Sequence, residues 1–500
     1  MTNQFYQDLP LLPVVLWETP PGLDLILAQE GIPTHRVPTP HPHPLALRRG
    51  RFVLYDGRKV SPARIRALVG ADQIALDVDL LRDEGHHDPF QDLVDTQAAT
   101  QSWQVAGLTL TERAGRIPKA SIRRALSDRL RQAITRSGGT WIRLGAFPFP
   151  YRSAFNFRAD LDEPFTEDYA RFARARRPLD DCCTHFVSTR AYGEDPAVLS
   201  DLLRFDSQSH GHHHVIYRDE EANRRNLMRA HQILAESGMT PVGFAAPHGR
   251  WNHGLDEVME ELGYLYSSDF QLGFDDLPFF PWLGHRFSTV LQIPIHPVCE
   301  GLFMEEGQSS GRAIAQYLAT IVRSKISAGE PAFVYGHPER RLARFPEVLA
   351  ELASVLAAEP FVWRVTLTEF ARWWRWRTER RWSVVEKGEG RVELQFDDWS
   401  ADYPLAVEVV RGQHVATVPV SGPRQVLQFE DLAYERREVQ SQFPAPTVVK
   451  RKPSLKAAVR EVLDWETVTP REELPEARLT DRVKKGLRWW RDESRRRDAV

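Results

Sequence analysis

Phe155-Asn-Phe-Arg-Ala-Asp-Leu-Asp-Glu-Pro164 is a short apolar run that delivers two aspartates and then stops at a proline. Ser209-His-Gly-His-His-His214, some fifty residues later, places four histidines within five positions. Along an extended strand, residues two apart face the same way, so Asp160 and Asp162 are expected to address one pocket. His210 and His214 stand at i and i+4 and share one face if a helical turn follows. Carboxylates and imidazoles at strand tips suit a divalent metal with an open coordination position, as a catalytic zinc requires. An isolated D-x-D pair is more often a capping pair at the start of a loop. The histidine cluster downstream reverses that preference, although His212 and His213 leave the register of the imidazole pair open.

Strands and helices alternate outward from these two stretches. Apolar runs at Thr184–Val187, Val242–Ala246, Leu291–Ile295 and Pro331–Tyr335 are separated by amphipathic helices. These helices span Glu220–Ser237, Leu255–Leu262, Ala313–Ala328 and Phe345–Ala358. Over residues 146–375 this pattern predicts an α/β fold, a distorted (β/α) barrel, whose chemistry collects at the C-terminal strand ends. The segment Gln271–Arg286, rich in Phe, Pro and Trp, is a candidate lid or substrate wall.

The aspartate pair and the H-x-x-x-H spacing resemble the polysaccharide deacetylase family, the NodB-homology deacetylases of carbohydrate esterase family 4. The D-x-D form looks like a variant of some intracellular branches. The resemblance implies that Asp160 is the base and that Asp162, His210 and His214 hold the metal. Phe244-Ala-Ala-Pro-His-Gly-Arg250 stands where the family has an Arg-x-Pro-Tyr-like motif. Pro247 and Gly249 match, Ala245 replaces the arginine that orients the base, and His248 replaces the tyrosine. The backbone N–H of His248 can still serve an oxyanion, since any residue but proline supplies one. The lost arginine leaves Arg158 or Arg250 to compensate. Asp269, in Tyr266-Ser-Ser-Asp-Phe270, faintly resembles a family aspartate that tunes the catalytic histidine. Val334-Tyr-Gly-His-Pro338 resembles the late motif whose histidine, here His337, protonates the leaving group. Arg158, Pro247, Arg250 and Asp269 are thus the expected substrate-side residues.

The rest of the 500-residue chain bounds this reading. Such a length implies about two to four domains. Residues 11–145 alternate strands and helices and are expected to be a Rossmann-like α/β domain, without a G-x-G-x-x-G or Walker pattern. Residues 380–440 break into short alternating segments and are expected to be a small all-β domain. Residues 441–500 read as a linker and tail, whose last twenty residues carry eight Lys/Arg against four Asp/Glu around Trp489 and Trp490. That tail is a candidate for docking on a membrane surface or a protein partner. A net charge of −3 gives no argument for nucleic acid. Three cysteines exclude a disulfide framework, and neither a signal peptide nor a membrane-spanning run is evident, so a cytoplasmic protein is expected.

Three functions follow. The first is removal of an N-acetyl group from a sugar in surface polysaccharide metabolism, with a divalent metal, zinc being the expected ion. The second is hydrolysis of a small non-sugar amide by the same chemistry. The third is glycan binding on a retired deacetylase, which Ala245 motivates. Asp160 and His337 argue against the third, because neither is needed merely to hold a metal.

Overall fold

Eight parallel strands carry both motifs in one curled sheet. The chain is described by a computed structural model covering residues 9–38, 42–82, 88–105, 107–307, 310–436 and 446–449. The first barrel strand, Ser153–Leu161, is buried at all nine positions. That is the signature of a central parallel strand covered on both faces. Across the sheet the order runs Leu291–Gln292, Tyr266–Ser267, Gly243–Phe244, Asp206–Ser209, Cys183–Val187, Ser153–Leu161 and Ala332–Gly336. Val362–Arg364 also pairs with the first strand, against Ser153, Ala154 and Phe155. Between the two edges the His296 N–H donates to Phe333 O at 3.0 Å. The strands at 243, 266 and 291 are only two residues long, so the barrel is irregular on that side.

The intervening helices begin and end where local chemistry dictates. Asp219 caps Glu220–Glu236 by accepting Glu221 N–H, and Asn252 caps His253–Glu261 by accepting Leu255 N–H at 2.8 Å. Gly311–Ala328 closes on Gly329 in the left-handed conformation. The expected apolar runs and helices all appear; the strands at 183 and 332 differ from expectation by one residue at one or both ends, and those at 243 and 291 are three residues shorter.

The flanking regions do not divide where composition changes. Residues 14–77 form a four-stranded parallel sheet in the order Thr34–Arg36, Val14–Trp17, Phe52–Tyr55, Ile74–Asp77, as expected of an α/β unit. The rest of the 11–145 region departs from that unit. Ala98–Val105 and Leu108–Gly115 form an antiparallel hairpin, to which Thr447–Val448 adds a third strand. Lys119–Arg136 is a helix, and Trp141–Leu144 joins a sheet made mostly of C-terminal residues. That sheet has the order Glu435–Arg436, His414–Pro419, Ala406–Arg411, Trp141–Leu144. Trp382–Gly388, Arg391–Phe396 and Arg424–Gln428 form a second antiparallel sheet. The 380–440 region carries strands, but one of them pairs with Trp141–Leu144, so the expected separate domain is not self-contained. Periodicity reports a strand and not its partner, which is why this pairing could not be read from sequence. Of the 441–500 tail, only residues 446–449 lie within the described residues, so the docking expectation falls outside them.

One core runs from Leu11 to Phe429 through all of these pieces. Buried charges bind it together. Arg377, on the helix Leu367–Thr378, donates to Gly145 O at 2.7 Å, Leu144 O at 3.1 Å, Gln29 O at 3.1 Å and Ala28 O at 3.2 Å. It thereby gives donors to the last carbonyls of the helix Pro21–Glu30, of which Ala28 O also accepts the Gly31 N–H. The segment Gln271–Arg286 belongs to the same seam. Leu272, Phe274, Leu277 and Phe279 are buried, Arg123 Nε reaches Asp276 Oδ1 at 2.7 Å, and Gln29 Nε2 donates to Leu277 O at 2.9 Å. The expected lid is instead packing between the barrel and the N-terminal region, because its apolar residues are used in that contact. Among the described residues no helix is long and apolar enough to cross a membrane.

Candidate metal centre

Three ligand atoms converge beyond the C-terminal ends of the first and third barrel strands. Asp162 Oδ1 lies 3.2 Å from His210 Nε2 and 3.2 Å from His214 Nε2. Oδ1 is buried and takes no hydrogen bond among the described residues. Three donor atoms at such separations, none serving another as a hydrogen-bond partner, fit a divalent cation between them. The His210 ring is oriented for this role. Its Nδ1 is 2.7 Å from Ala245 O, and a proton donated there leaves the Nε2 lone pair facing Asp162. Burial pushes the Asp162 carboxyl up, but the neighbouring imidazoles His214 and His210 hold it well below the usual range.

The local backbone settles which histidines converge. No helix follows residue 209, so the helical turn expected to align His210 with His214 is absent. Gly211 makes the turn instead, at φ 82°, a conformation favourable only to a residue without a Cβ. His213 N–H is then fixed by Asn226 Oδ1 at 2.7 Å. His212 Nδ1 meets Thr189 Oγ1 at 3.0 Å and His213 Nδ1 meets Arg190 Nη1 at 2.9 Å, so both rings are engaged elsewhere.

Asp160 lies one step deeper. Its two oxygens receive Arg158 Nε at 2.6 Å and Arg158 Nη2 at 2.5 Å, a bidentate grip inside the same strand. Burial raises the Asp160 pKa, but Arg158 outweighs it and holds the carboxyl below its ordinary value. Arg158 also donates to Ser268 O and lies over the rings of Phe186 and Tyr335. Of the two candidate substitutes for the arginine missing at Ala245, Arg158 is the one on Asp160. It is fully buried, so it can position Asp160 but cannot contact substrate directly.

His337 closes the other side, beyond the seventh strand, Ala332–Gly336. Its Nε2 is 3.7 Å from Asp162 Oδ2, and its Nδ1 is 2.8 Å from Glu300 Oε1. Burial and the nearby Arg341 both oppose a proton on this ring, yet Glu300 holds its pKa well above the ordinary imidazole value. Glu300 is fully buried, and a Cβ on residue 336 would collide with its Oε2. Any side chain at 336 would therefore have to displace the Glu300 carboxylate. Sequence reading missed Glu300. An acid 37 residues away, at the first position of the helix Glu300–Glu305, leaves no local pattern.

Asp269 does not approach His337. It is fully buried, accepting Ala246 N–H at 2.9 Å and Ser267 Oγ–H at 2.5 Å, and burial pushes its carboxyl up to about 6. It supports the Ala245–Gly249 turn and, like Arg158, is too buried to touch substrate. In that turn Pro247 is buried and His248 adopts φ 58° at the mouth of the site. Among the described residues no hydrogen bond occupies the His248 N–H. The His248 ring lies 4.9 Å from that of His214, and Arg250 follows at the partly exposed rim.

No protein-family model and no curated protein matches the chain. Solved structures similar to it include two proteins described as polysaccharide deacetylases. The one from Mycobacterium smegmatis is 19% identical, with 46% of this chain and 93% of that chain covered, at a TM-score of 0.40. The one from Pseudomonas aeruginosa PAO1 is 21% identical, with 46% and 94% covered, at a TM-score of 0.39. The Puue allantoinase is likewise 21% identical, with 46% and 93% covered, at a TM-score of 0.40. In the order of its motifs and among the solved structures it matches, the chain is similar to the polysaccharide deacetylases of the NodB-homology family.

Proposed function

We propose that the chain is a metal-dependent hydrolase that removes an N-acetyl group from a sugar in surface polysaccharide metabolism. The observation that carries this reading is the convergence of Asp162, His210 and His214, with His337 beside them and Asp160 within charge range of His210 and His337. Nitrogen and oxygen donors with an open position suit zinc. A zinc ion held there supplies Lewis-acid polarisation of the acetyl carbonyl and a more acidic water. Asp160, kept ionised by Arg158, accepts the proton of the attacking water at a carboxylate oxygen. The His248 N–H donates to the carbonyl oxygen as charge develops on it. His337, kept protonated by Glu300, gives its Nε2 proton to the departing nitrogen. The products are acetate and a free amine.

The retired-enzyme reading rested on Ala245. The Arg158 grip on Asp160 supplies the orienting contact from another position and favours a working enzyme. The test is acetate release from N-acetylglucosamine oligomers, with zinc content measured in parallel. Wild type is expected to bind one zinc and release acetate. Asp160→Asn is expected to keep the zinc and lose about 10²–10⁴-fold in rate, the usual contribution of a positioned base. A zinc-loaded wild type that releases acetate from no oligomer would sink this function.

A further inference from the structure

We propose that Cys299, Glu300 and His337 form a second divalent-metal site, which takes zinc in excess of the ion at Asp162, His210 and His214 and thereby switches the enzyme off. The switch rests on the deacetylase reading and adds regulation to it; the site itself stands on geometry. The Cys299 sulfur, a Glu300 carboxylate oxygen and a ring nitrogen of His337 lie within 4.8 Å of one another. His337 Nδ1 is 2.8 Å from Glu300 Oε1, while its Nε2 is 3.7 Å from Asp162 Oδ2. The two candidate centres therefore share one imidazole and use its two nitrogens. Cys299 is a buried thiol outside any disulfide. Glu300 Oε2 is buried and has no hydrogen-bond partner among the described residues. A buried acceptor left unfilled is costly, and a cation is one way to fill it.

The donor set selects the ion. One sulfur, one imidazole nitrogen and one carboxylate oxygen suit zinc or cadmium, not magnesium or calcium, which take oxygen ligands. Charge balances as well. In the resting arrangement the Glu300 carboxylate faces the His337 imidazolium beside the Cys299 thiol. A dication that binds the sulfur, the carboxylate and Nδ1 sends two protons to solvent, one from sulfur and one from Nδ1. The buried corner thus keeps its net charge. One cation competes for the place. Arg341 Nη1 is 2.7 Å from His337 Nδ1 and 3.9 Å from Glu300 Oε1. Its side chain is partly exposed, so it can swing outward to admit the ion. With Nδ1 on a metal, His337 cannot become an imidazolium and no longer serves as proton donor to the leaving nitrogen.

The experiment uses full-length protein carrying one equivalent of zinc, with cadmium as the probe, because a cadmium–thiolate bond absorbs in the ultraviolet. Wild type is expected to take up one further equivalent, to show that band, and to lose acetate release from N-acetylglucosamine oligomers in step with it while its zinc content holds. Cys299→Ser and Cys299→Ala, checked for fold by circular dichroism, should lose the band and bind the second equivalent more than about tenfold more weakly. What acetate release they retain should no longer fall with cadmium. Arg341→Gln, which removes the competing cation, should bind cadmium severalfold more tightly. No band in wild type, a band retained in both Cys299 variants, or affinity not raised in Arg341→Gln overturns the site. A retained band would assign the cadmium to Cys182 or Cys183, at the start of the strand Cys183–Val187 and so at the opposite end of the barrel. The expected band with acetate release unaffected overturns the switch. If wild type releases no acetate before cadmium is added, the deacetylase reading has failed, and the band and the affinities decide the site alone.

Discussion

Arg158 holds Asp160 from two positions earlier on the same strand, Nε to Oδ1 at 2.6 Å and Nη2 to Oδ2 at 2.5 Å. Both side chains are almost wholly buried. Removing one partner of such a pair leaves a charge in a low-dielectric interior. Arg158→Met is therefore expected to cost about 3–5 kcal/mol of stability in denaturant unfolding. Arg158→Lys should recover part of this but not the bidentate geometry. A loss below about 1 kcal/mol in Arg158→Met, within the range of an exposed pair, would show that Asp160 does not depend on this guanidinium.

The histidine register gives a second prediction. His210→Ala and His214→Ala are each expected to abolish stoichiometric zinc, read by elemental analysis after dialysis. His212→Ala and His213→Ala should retain it, since their rings meet Thr189 and Arg190. Zinc lost from either of the second pair, with the fold intact by circular dichroism, would require another ligand set.

Glu300 raises the affinity of His337 for its proton, so His337 stays charged to higher pH than an isolated imidazole. A proton donor that must be charged loses activity as pH rises through its pKa. Glu300→Gln is expected to move the alkaline limb of the kcat profile to lower pH while leaving zinc content unchanged. An unmoved limb would separate His337 from proton donation.

Glu260 tests the same logic away from the site. It receives Arg286 Nη1 at 2.8 Å, Arg286 Nη2 at 2.6 Å, Thr289 N–H at 2.6 Å and Thr289 Oγ1 at 3.0 Å. Arg286 first, with Thr289, lowers its carboxyl from 4.5 to about 2 against a smaller opposing effect of burial. A depressed carboxyl contributes stability above its unfolded value and loses it as pH falls through the folded one. The Tm gap between wild type and Glu260→Gln should be full near pH 6 and shrink as the pH is lowered from about 4.5 towards 2. A gap independent of pH over that window would mean that shape, not charge, makes the contact.

Periodicity made the barrel legible because a buried parallel strand and an amphipathic helix each carry their environment in their own residues. The Asp162, His210 and His214 grouping was expected from the resemblance of its spacing to the family motifs and not from periodicity, since the strand before His210, Asp206–Ser209, is polar. What stayed hidden depends on pairs far apart in sequence. Glu300 and His337 meet only because the start of the helix Glu300–Glu305 lies beside the end of the strand Ala332–Gly336, and Trp141–Leu144 meets Ala406–Arg411 only after the whole barrel intervenes. Asp269 was misplaced because a turn aspartate and a functional one have the same local sequence. Gln271–Arg286 was misread because apolar residues in a long connection look alike whether they cover a pocket or fill a seam.

The strand Trp141–Leu144 has a consequence for biosynthesis. Its Arg143 meets Glu30 from the N-terminal side, but the strand's own partner, Ala406–Arg411, is made only after the barrel, so on the ribosome the strand waits unpaired until the whole barrel has emerged. During that interval Trp141 and Ile142, both buried in the finished protein, sit on an open edge able to pair with another nascent chain. Expressing residues 146–375 alone would remove that strand and would also cut the helix Leu367–Thr378 before Arg377, whose clasp on Leu144 and Gly145 would be lost with them. Cutting after 375 while keeping the N-terminus would make the open edge permanent. The barrel is thus the middle of a belt whose two ends buckle together, and recombinant yield should depend on keeping both ends in one chain.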